Sequence, residues 1–358
     1  MIAILVSSAT TILIGMLATK APRHSRHLYF LPHVASASWA LHNSAVLTTN
    51  ERYNGLYAMS IALYTLHLYS YLYLVDTDLD TDTWVQVWFI QPNLRYLRTS
   101  KSTARAEHAA QKQSRKQFVK TRLMSIMIIY ALLVVYYEVI DLPNRLHIQP
   151  NDFTPSKRSF FRRLAASQSP VTLHEVLVRI WSVFEFIILD WASLTAIHSV
   201  FASISVSLHL DLPKHWPPLF GSIRETYSLR NYWTKFWHLL FYRMGNAYAD
   251  WLLRLLLAGN ERTPLSRYLK NFLVFLFSGI VHFSVRRLTC GRGTGEWQIG
   301  VWYLAQPVLF LAEDRVLGGR QASRMGKLLG YLWVYGFLFW SVPKIQYPAL
   351  YGGDGLQW

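Results

Sequence analysis

The stretch LKNFLVFLFSGIVHFSV, Leu269 to Val285, decides the architecture. It is almost wholly apolar and approaches the roughly 20 residues that a helix needs to cross the hydrocarbon of a bilayer. One histidine, His282, lies near its far end. Asn271, Ser278 and His282 are spaced by seven and four residues, so on a helix they share a face with Phe275. Polar groups are costly in lipid, so this stripe is expected to face the protein interior. Gly279 leaves room there for a second backbone. For His282 two readings are open. It is either a structural hydrogen-bonding group between helices or a general base, a role suited by its ordinary pKa near neutrality.

Outward from this stretch the same apolar character recurs. The 358 residues are 52% hydrophobic and only 16% charged, against about a quarter charged in an average soluble protein. The apolar runs are Ile2–Ala18, Gly55–Val75, Leu123–Ile140, a span within Val176–Leu208, Tyr268–Val285, Gly300–Ala312 and Leu328–Val342. A further run around Pro32, His33 and His42 is doubtful. The first run lacks a preceding positive region, so it reads as a retained span rather than a signal peptide. The expected fold is all-α: a polytopic transmembrane helical bundle of about seven to eight spans with an amphipathic interfacial helix. Residues 1–358 are expected to form one membrane domain. The 14 Trp and 21 Tyr suit anchors at membrane interfaces.

The formal net charge is +16. The basic residues fall between apolar runs, which points to loops at an anionic membrane surface and not to nucleic acid. The loop 95–122 is strongly basic, which makes it cytosolic by the positive-inside rule and leaves the N-terminus outside. Strict alternation returns 209–267 to the cytosol, whereas the basic segment 141–173 conflicts with it. Either FFRRLAAS lies on the membrane surface or the topology is not simply alternating. Glu185 and Asp190 lie inside a span and are expected to face protein. The single cysteine, Cys290, excludes an intrachain disulfide.

A second stretch, SLRNYWTKFWHLLFYR (Ser228–Arg243), crowds aromatic rings beside positive charge. With Ser228 as N-cap, Leu229, Tyr232, Trp233, Phe236, Trp237, Leu240 and Phe241 fall on one helical face. Asn231, Thr234, Lys235, His238 and Tyr242 fall opposite. The spacing predicts an amphipathic helix at the membrane surface with its aromatic side in the apolar region. Its polar face is either solvated or lines a site containing His238. In QPVLFLAEDRV (Gln306–Val316), Gln306 and Glu313 share a face, and Glu313 and Asp314 read as a helix end at the interface. GRGTGEW (Gly291–Trp297) does not fit the phosphate-loop pattern and reads as a turn.

Taken in order, WPPLFGS, SLRNYWTKFWH, SGIVH and QPVLFLAED resemble the wax synthase-like branch of the membrane-bound O-acyltransferase superfamily, above all its fungal members. The resemblance covers roughly the C-terminal half by motif, with a signature region at about 209–316. It implies acyl-CoA-dependent transfer to a hydroxyl, with acetyl-CoA as co-substrate, no bound cofactor and no metal. The acceptor implied is a lipophilic secondary metabolite, terpenoid, meroterpenoid or polyketide, met in a lipid membrane, expected to be the endoplasmic reticulum. The family's catalytic histidine falls on His282 and its second signature position on His238. Many members read RRWHQ where this chain reads TKFWHLL, so a flanking charge and a Gln are absent. Within this reading Asn231, Asn271 and Ser278 are candidates for positioning the oxyanion or the acceptor, and Arg230, Lys235 and Arg243 for binding CoA phosphates. The alternatives are a wax ester synthase using long-chain acyl-CoA and a fatty alcohol, a transporter using Glu185, Asp190 and His282, and a non-catalytic scaffold.

Overall fold

The computed structural model describes residues 2–75, 81–95, 113–166, 170–257, 263–291, 293–317 and 323–352. Among these residues there are helices and no strand. In chain order the helices are α1 (Ile2–Lys20), α2 (Phe30–His42), α3 (Glu51–Tyr69), α4 (Trp84–Ile90), α5 (Arg115–Val134), α6 (Leu142–Arg145) and α7 (Phe160–Ala166). There follow α8 (Leu173–Ser207), α9 (Leu229–Asn231), α10 (Tyr242–Leu257), α11 (Pro264–Thr289), α12 (Glu296–Leu317) and α13 (Arg324–Gly352). Most of the basic loop expected to be cytosolic, 96–112, lies outside the described residues.

Several helices begin where side chains cap otherwise unpaired N–H groups. Asn50 accepts from Arg52 and Tyr53 ahead of α3, and Thr83 forms a capping box with Gln86 ahead of α4. Ser114, Thr172 and Thr263 cap α5, α8 and α11, the last with Pro264 at the first position. Among the described residues five helical segments are long and apolar enough to cross a membrane: Ile2–Lys20, Arg115–Arg145, Leu173–Ser207, Leu265–Thr289 and Arg324–Tyr351. The apolar runs of the sequence predict about seven to eight spans. The difference falls on α2, α3 and α12. Helix α2 is only 13 residues long, α3 is diluted by polar and tyrosine side chains, and α12 opens on Glu296 and carries Glu313, Asp314 and Arg315 in its last turns.

The chain divides into two compact units. The first comprises Met1–His108, Leu239–Gly291 and Ile299–Pro307. In it α1 packs on α2 through small polar residues. Ser36 Oγ donates to Ser7 O at 2.9 Å and lies 2.6 Å from Thr11 Oγ1, the hydrogen-bonded seam expected between helices in lipid. Helix α3 packs on α2 and α11, and Tyr248 Oη of α10 donates to Leu66 O at 3.0 Å. Helix α10 is amphipathic: Met244, Gly245, Ala247, Ala249 and Leu253 are buried, while Trp251, Leu255 and Leu256 are exposed.

The second unit comprises Ala109–His238, Arg292–Gln298 and Val308–Trp358. Here α5 and α13 both pack on α8. Glu185 is buried, as expected of a carboxylate within a span, and Tyr137 Oη lies 3.4 Å from its Oε2. Asp190 is half-buried. FFRRLAA forms α7, with Phe160 buried and Phe161 and Leu164 exposed.

Candidate active site

In the first unit His282 is half-buried on α11. Its Nε2 lies 2.8 Å from Tyr303 Oη, and the two rings stack with centroids 4.5 Å apart and planes 19° apart. Gly279 permits the approach. A Cβ built there would lie 3.1 Å from Gly300 O and 3.2 Å from Tyr303 Cβ, tighter than side chains normally allow. Ser278 is half-buried beside it, whereas Asn271 is exposed. The polar stripe expected to run along α11 toward the interior is therefore not continuous: its His282 end is covered, and Asn271, near the helix start, is not. Gln306 is fully buried and spends its amide on Trp302 O, one turn back, at 3.0 Å.

In the second unit the aromatic–basic stretch departs from the single interfacial helix read from its spacing. Ser228 does cap it, accepting from Asn231 N at 3.0 Å. The α-helix then lasts one turn, α9, and Tyr232–Phe236 forms a π turn closed by Trp237 N donating to Tyr232 O at 2.7 Å. Trp237 is extended, and a turn closed by Tyr242 N donating to Leu239 O at 3.3 Å leads into α10 at Tyr242. The amphipathic helix exists, but it starts where the predicted one would have ended. Tyr232, Phe236 and Trp237 are 0%, 5% and 4% exposed, so this aromatic face is covered by protein and not by lipid. Trp237 stacks on Tyr232 at 5.4 Å and on Phe186 of α8 at 5.7 Å. The physical reason is the turn itself: a π turn rotates each following side chain off the 3.6-residue face, which lets the rings close on one another.

His238 follows directly. Its half-buried ring is set edge-on to Phe220 at 5.7 Å and tilted on Trp237 at 5.5 Å. Gly221 N donates to Phe236 O at 2.8 Å, which ties WPPLFGS to this turn. Two carboxylates of α12 hold the other end. Glu313 is buried and accepts from Leu229 N at 2.7 Å, Arg230 N at 3.2 Å and Trp333 Nε1 at 3.0 Å. Asp314 pairs with Arg230 at 2.5 Å. From the sequence Glu313 reads as a helix end at the interface. It is instead a buried acceptor at the start of α9.

Of the residues assigned to CoA, Arg230 also lies over the Phe310 ring at 5.4 Å. Lys235 is exposed and pairs with Glu225 at 3.2 Å. Both belong to the second unit with Asn231, whereas Arg243 belongs to the first, on α10. His282 and His238 likewise lie in the first and second units. Sequence reasoning missed Tyr303 and Trp333. Tyr303 is 21 residues from His282 on the next helix, so no spacing along one helix could have found it. Among the described residues no cluster of three or more His, Cys, Asp or Glu is arranged to hold a metal ion.

These features define an all-helical membrane protein with a half-buried histidine on one span and a second histidine clamped in an aromatic turn. The sequence profile of the membrane bound O-acyl transferase family matches residues 216–305, a region that contains both histidines. Acetyltransferase nanB of Aspergillus nanangensis is 33% identical over 199 residues, 51% of this chain and 46% of the relative. Acetyltransferase ataH of Aspergillus terreus is 32% identical over 164 residues, 42% of this chain and 52% of the relative. Acetyltransferase aurG of Calcarisporium arbuscula is 27% identical over 238 residues, 64% and 55% of the two chains. The chain thus spans about half the length of the curated relatives it matches. No solved structure matches. The family resemblance read from the four motifs is borne out.

Proposed function

We propose that the chain is a membrane acyltransferase that moves an acetyl group from acetyl-CoA to a hydroxyl of a lipophilic secondary metabolite, terpenoid, meroterpenoid or polyketide. The observation that carries this reading is the family match over 216–305, which takes in His238 and His282 together. The acetyltransferase names of the relatives support the acyl group chosen. All of 1–358 acts as one acyltransferase in this reading, in the membrane of the endoplasmic reticulum.

The chemistry asked of the chain is modest. A ring nitrogen of His282 takes the proton of the acceptor hydroxyl as its oxygen attacks the thioester carbonyl. The tetrahedral intermediate collapses, the C–S bond breaks, and the CoA thiolate recovers that proton from the imidazolium. The products are an ester and free CoA. In this reading Ser278 acts on the helix of His282 in the first unit, and His238 and Asn231 act in the second, each as an oxyanion donor or as a group that positions the acceptor; Asn271, exposed near the start of α11, meets the acceptor and not the reacting carbonyl. Arg230, Lys235 and Arg243 meet CoA phosphates. The ion pairs that hold Arg230 and Lys235 are solvent-exposed, and such pairs contribute about 0–1 kcal/mol, so a phosphate can replace the carboxylate in each.

The test is transfer by membranes containing the protein, supplied with labelled acetyl-CoA and a panel of lipophilic alcohols. Label should enter an ester, and His282→Ala should lower the rate by roughly a hundredfold or more. Ester formed only from long-chain acyl-CoA would replace the acetyl reading with wax ester synthesis. Undiminished transfer by His282→Ala would remove His282 from the mechanism.

A further inference from the structure

We infer that Tyr303 is the positioning residue of His282, holding the imidazole through its phenol oxygen; the inference rests on the acyltransferase reading above. A histidine on a membrane helix can rotate about two side-chain bonds, and each of its nitrogens can carry the proton. A general base must present one nitrogen, unprotonated, in a fixed direction. Tyr303 constrains the direction of the ring. Its ring lies against the imidazole at 4.5 Å and 19°, which limits ring rotation. Its Oη lies 2.8 Å from Nε2; in the tautomer with Nε2–H donating to Oη, the basic lone pair is that of Nδ1.

The arrangement is built into the backbone. Gly279 lies three residues before His282 and so sits on the same side of α11. Its missing side chain admits Gly300 O and Tyr303 Cβ of α12 at distances of 3.1 and 3.2 Å from where a Cβ would be. Small residues that let helix backbones approach are the usual means of close packing in membranes. Here the close approach brings one particular phenol to one particular imidazole. SGIVH and the VWY of α12 therefore act as a pair: the glycine sets the separation, and the tyrosine uses it.

Tyr303 is assigned no proton-transfer step. As imidazolium, His282 donates from both nitrogens, and Oη accepts from Nε2–H. The orientation then persists through the proton's arrival from the alcohol and its departure to the CoA thiolate.

The experiment compares wild type, His282→Ala, Tyr303→Phe, Tyr303→Leu and Gly279→Ala in the acetyl-transfer assay, with each protein's elution profile and melting temperature measured in detergent. Tyr303→Phe keeps the ring and its stacking and removes only the oxygen. The expected result is a fall in kcat of about tenfold or more with KM for acetyl-CoA within about twofold and an unchanged elution profile. Gly279→Ala, which moves α12 by a few tenths of an ångström, should lower kcat in the same sense while Tyr303 is intact. A Tyr303→Phe enzyme with wild-type kcat beside an impaired Tyr303→Leu enzyme would overturn the inference, because ring packing alone would then account for the residue. Failure of the parent reading looks different: wild type transfers no acetyl group, or His282→Ala transfers it as well as wild type does, and the inference falls with it. Should Tyr303→Phe elute as aggregate, Gly279→Ala decides: full kcat in a folded Gly279→Ala protein overturns the inference.

Discussion

Glu313 accepts the backbone N–H of Leu229 at 2.7 Å, from 84 residues further along the chain. With Arg230 N and Trp333 Nε1 it completes a three-donor site inside the second unit. Two of these donors are otherwise unpaired groups at the start of α9, where a negative charge is also favoured by the helix dipole. Loss of a buried acceptor leaves such donors unsatisfied at roughly 1–3 kcal/mol. Glu313→Ala should therefore lower the melting temperature in detergent by roughly 2–8 °C. Glu313→Gln, which keeps one carbonyl acceptor, should fall between. Asp314→Asn should change little, because its partner Arg230 and the carboxylate itself are 38% and 51% exposed. Equal melting temperatures for Glu313→Ala and Asp314→Asn would mean that Glu313 holds nothing.

Helix α13 offers an internal control on packing. A Cβ at Gly330 would lie 2.0 Å from Tyr227 O, a backbone atom with no rotamer to change. A Cβ at Gly336, six residues on, would meet nothing within 4 Å. Alanine is favoured over glycine within a helix by roughly 0.5–1 kcal/mol. Gly336→Ala should hold or slightly raise the melting temperature, whereas Gly330→Ala should lower it by several degrees or prevent recovery of folded protein. Identical behaviour of the two would show that the Tyr227–Gly330 approach is not tight.

What the sequence made legible follows from the range of the interactions. Spans are legible because one segment alone settles its own transfer from water, and the helix of Leu269–Val285 is observed within α11. Caps are legible for the same reason, as Ser228 demonstrates. The π turn at Tyr232–Phe236 was not legible. Its apolar spacing fits an ordinary helix, and the choice between the two is made by Phe220, Phe186 and the clasp of Gly221 on Phe236 O. Tyr303 and the burial of Glu313 were hidden for a related reason. Each is defined by a partner on another element, 21 and 84 residues away.

The segment between α6 and α8 carries a pH-dependent interaction. Burial pushes the Asp152 carboxyl up, but Lys157 at 2.7 Å, the N–H of Gln149 and His174 at 2.9 Å together hold it below its ordinary value. A carboxylate depressed on folding contributes stability that is fully present above its unfolded pKa, about 3.9, and is lost as pH falls through the folded value. Asp152→Asn should thus be less stable than wild type at pH 6–7, and the gap should close as the pH is lowered below about 4. Melting temperatures of the two proteins across that window measure it. A gap that widens on acidification would reverse the sign and dismiss the ion-pair account.

Arg179 is fully buried within α8. Its guanidinium lies 4.6 Å from the Phe160 ring, 5.7 Å from Phe339 and 5.8 Å from Tyr347, and 3.6 Å from Glu175. It also donates to the carbonyls of Lys157 and Phe339. Glu175 in turn takes both oxygens to Arg163 at 2.9 Å. A planar, delocalised cation can stack on three rings and still reach two carbonyls; a lysine ammonium cannot. Arg179→Lys, though it keeps the charge, should therefore be destabilised by about 1–3 kcal/mol, from lost stacking and unsatisfied carbonyls. Arg179→Ala should lose about 3–5 kcal/mol, because a large, fully buried side chain is emptied from among three rings and two carbonyls lose their donor. Arg163 still neutralises Glu175, so Arg179→Met, which refills the apolar volume, should recover part of the alanine loss. Thermal unfolding in detergent should rank the four as wild type, Lys, Met, Ala. If Lys melted with wild type, charge alone would account for Arg179; if Met melted above Lys, the apolar fill would outweigh the cation.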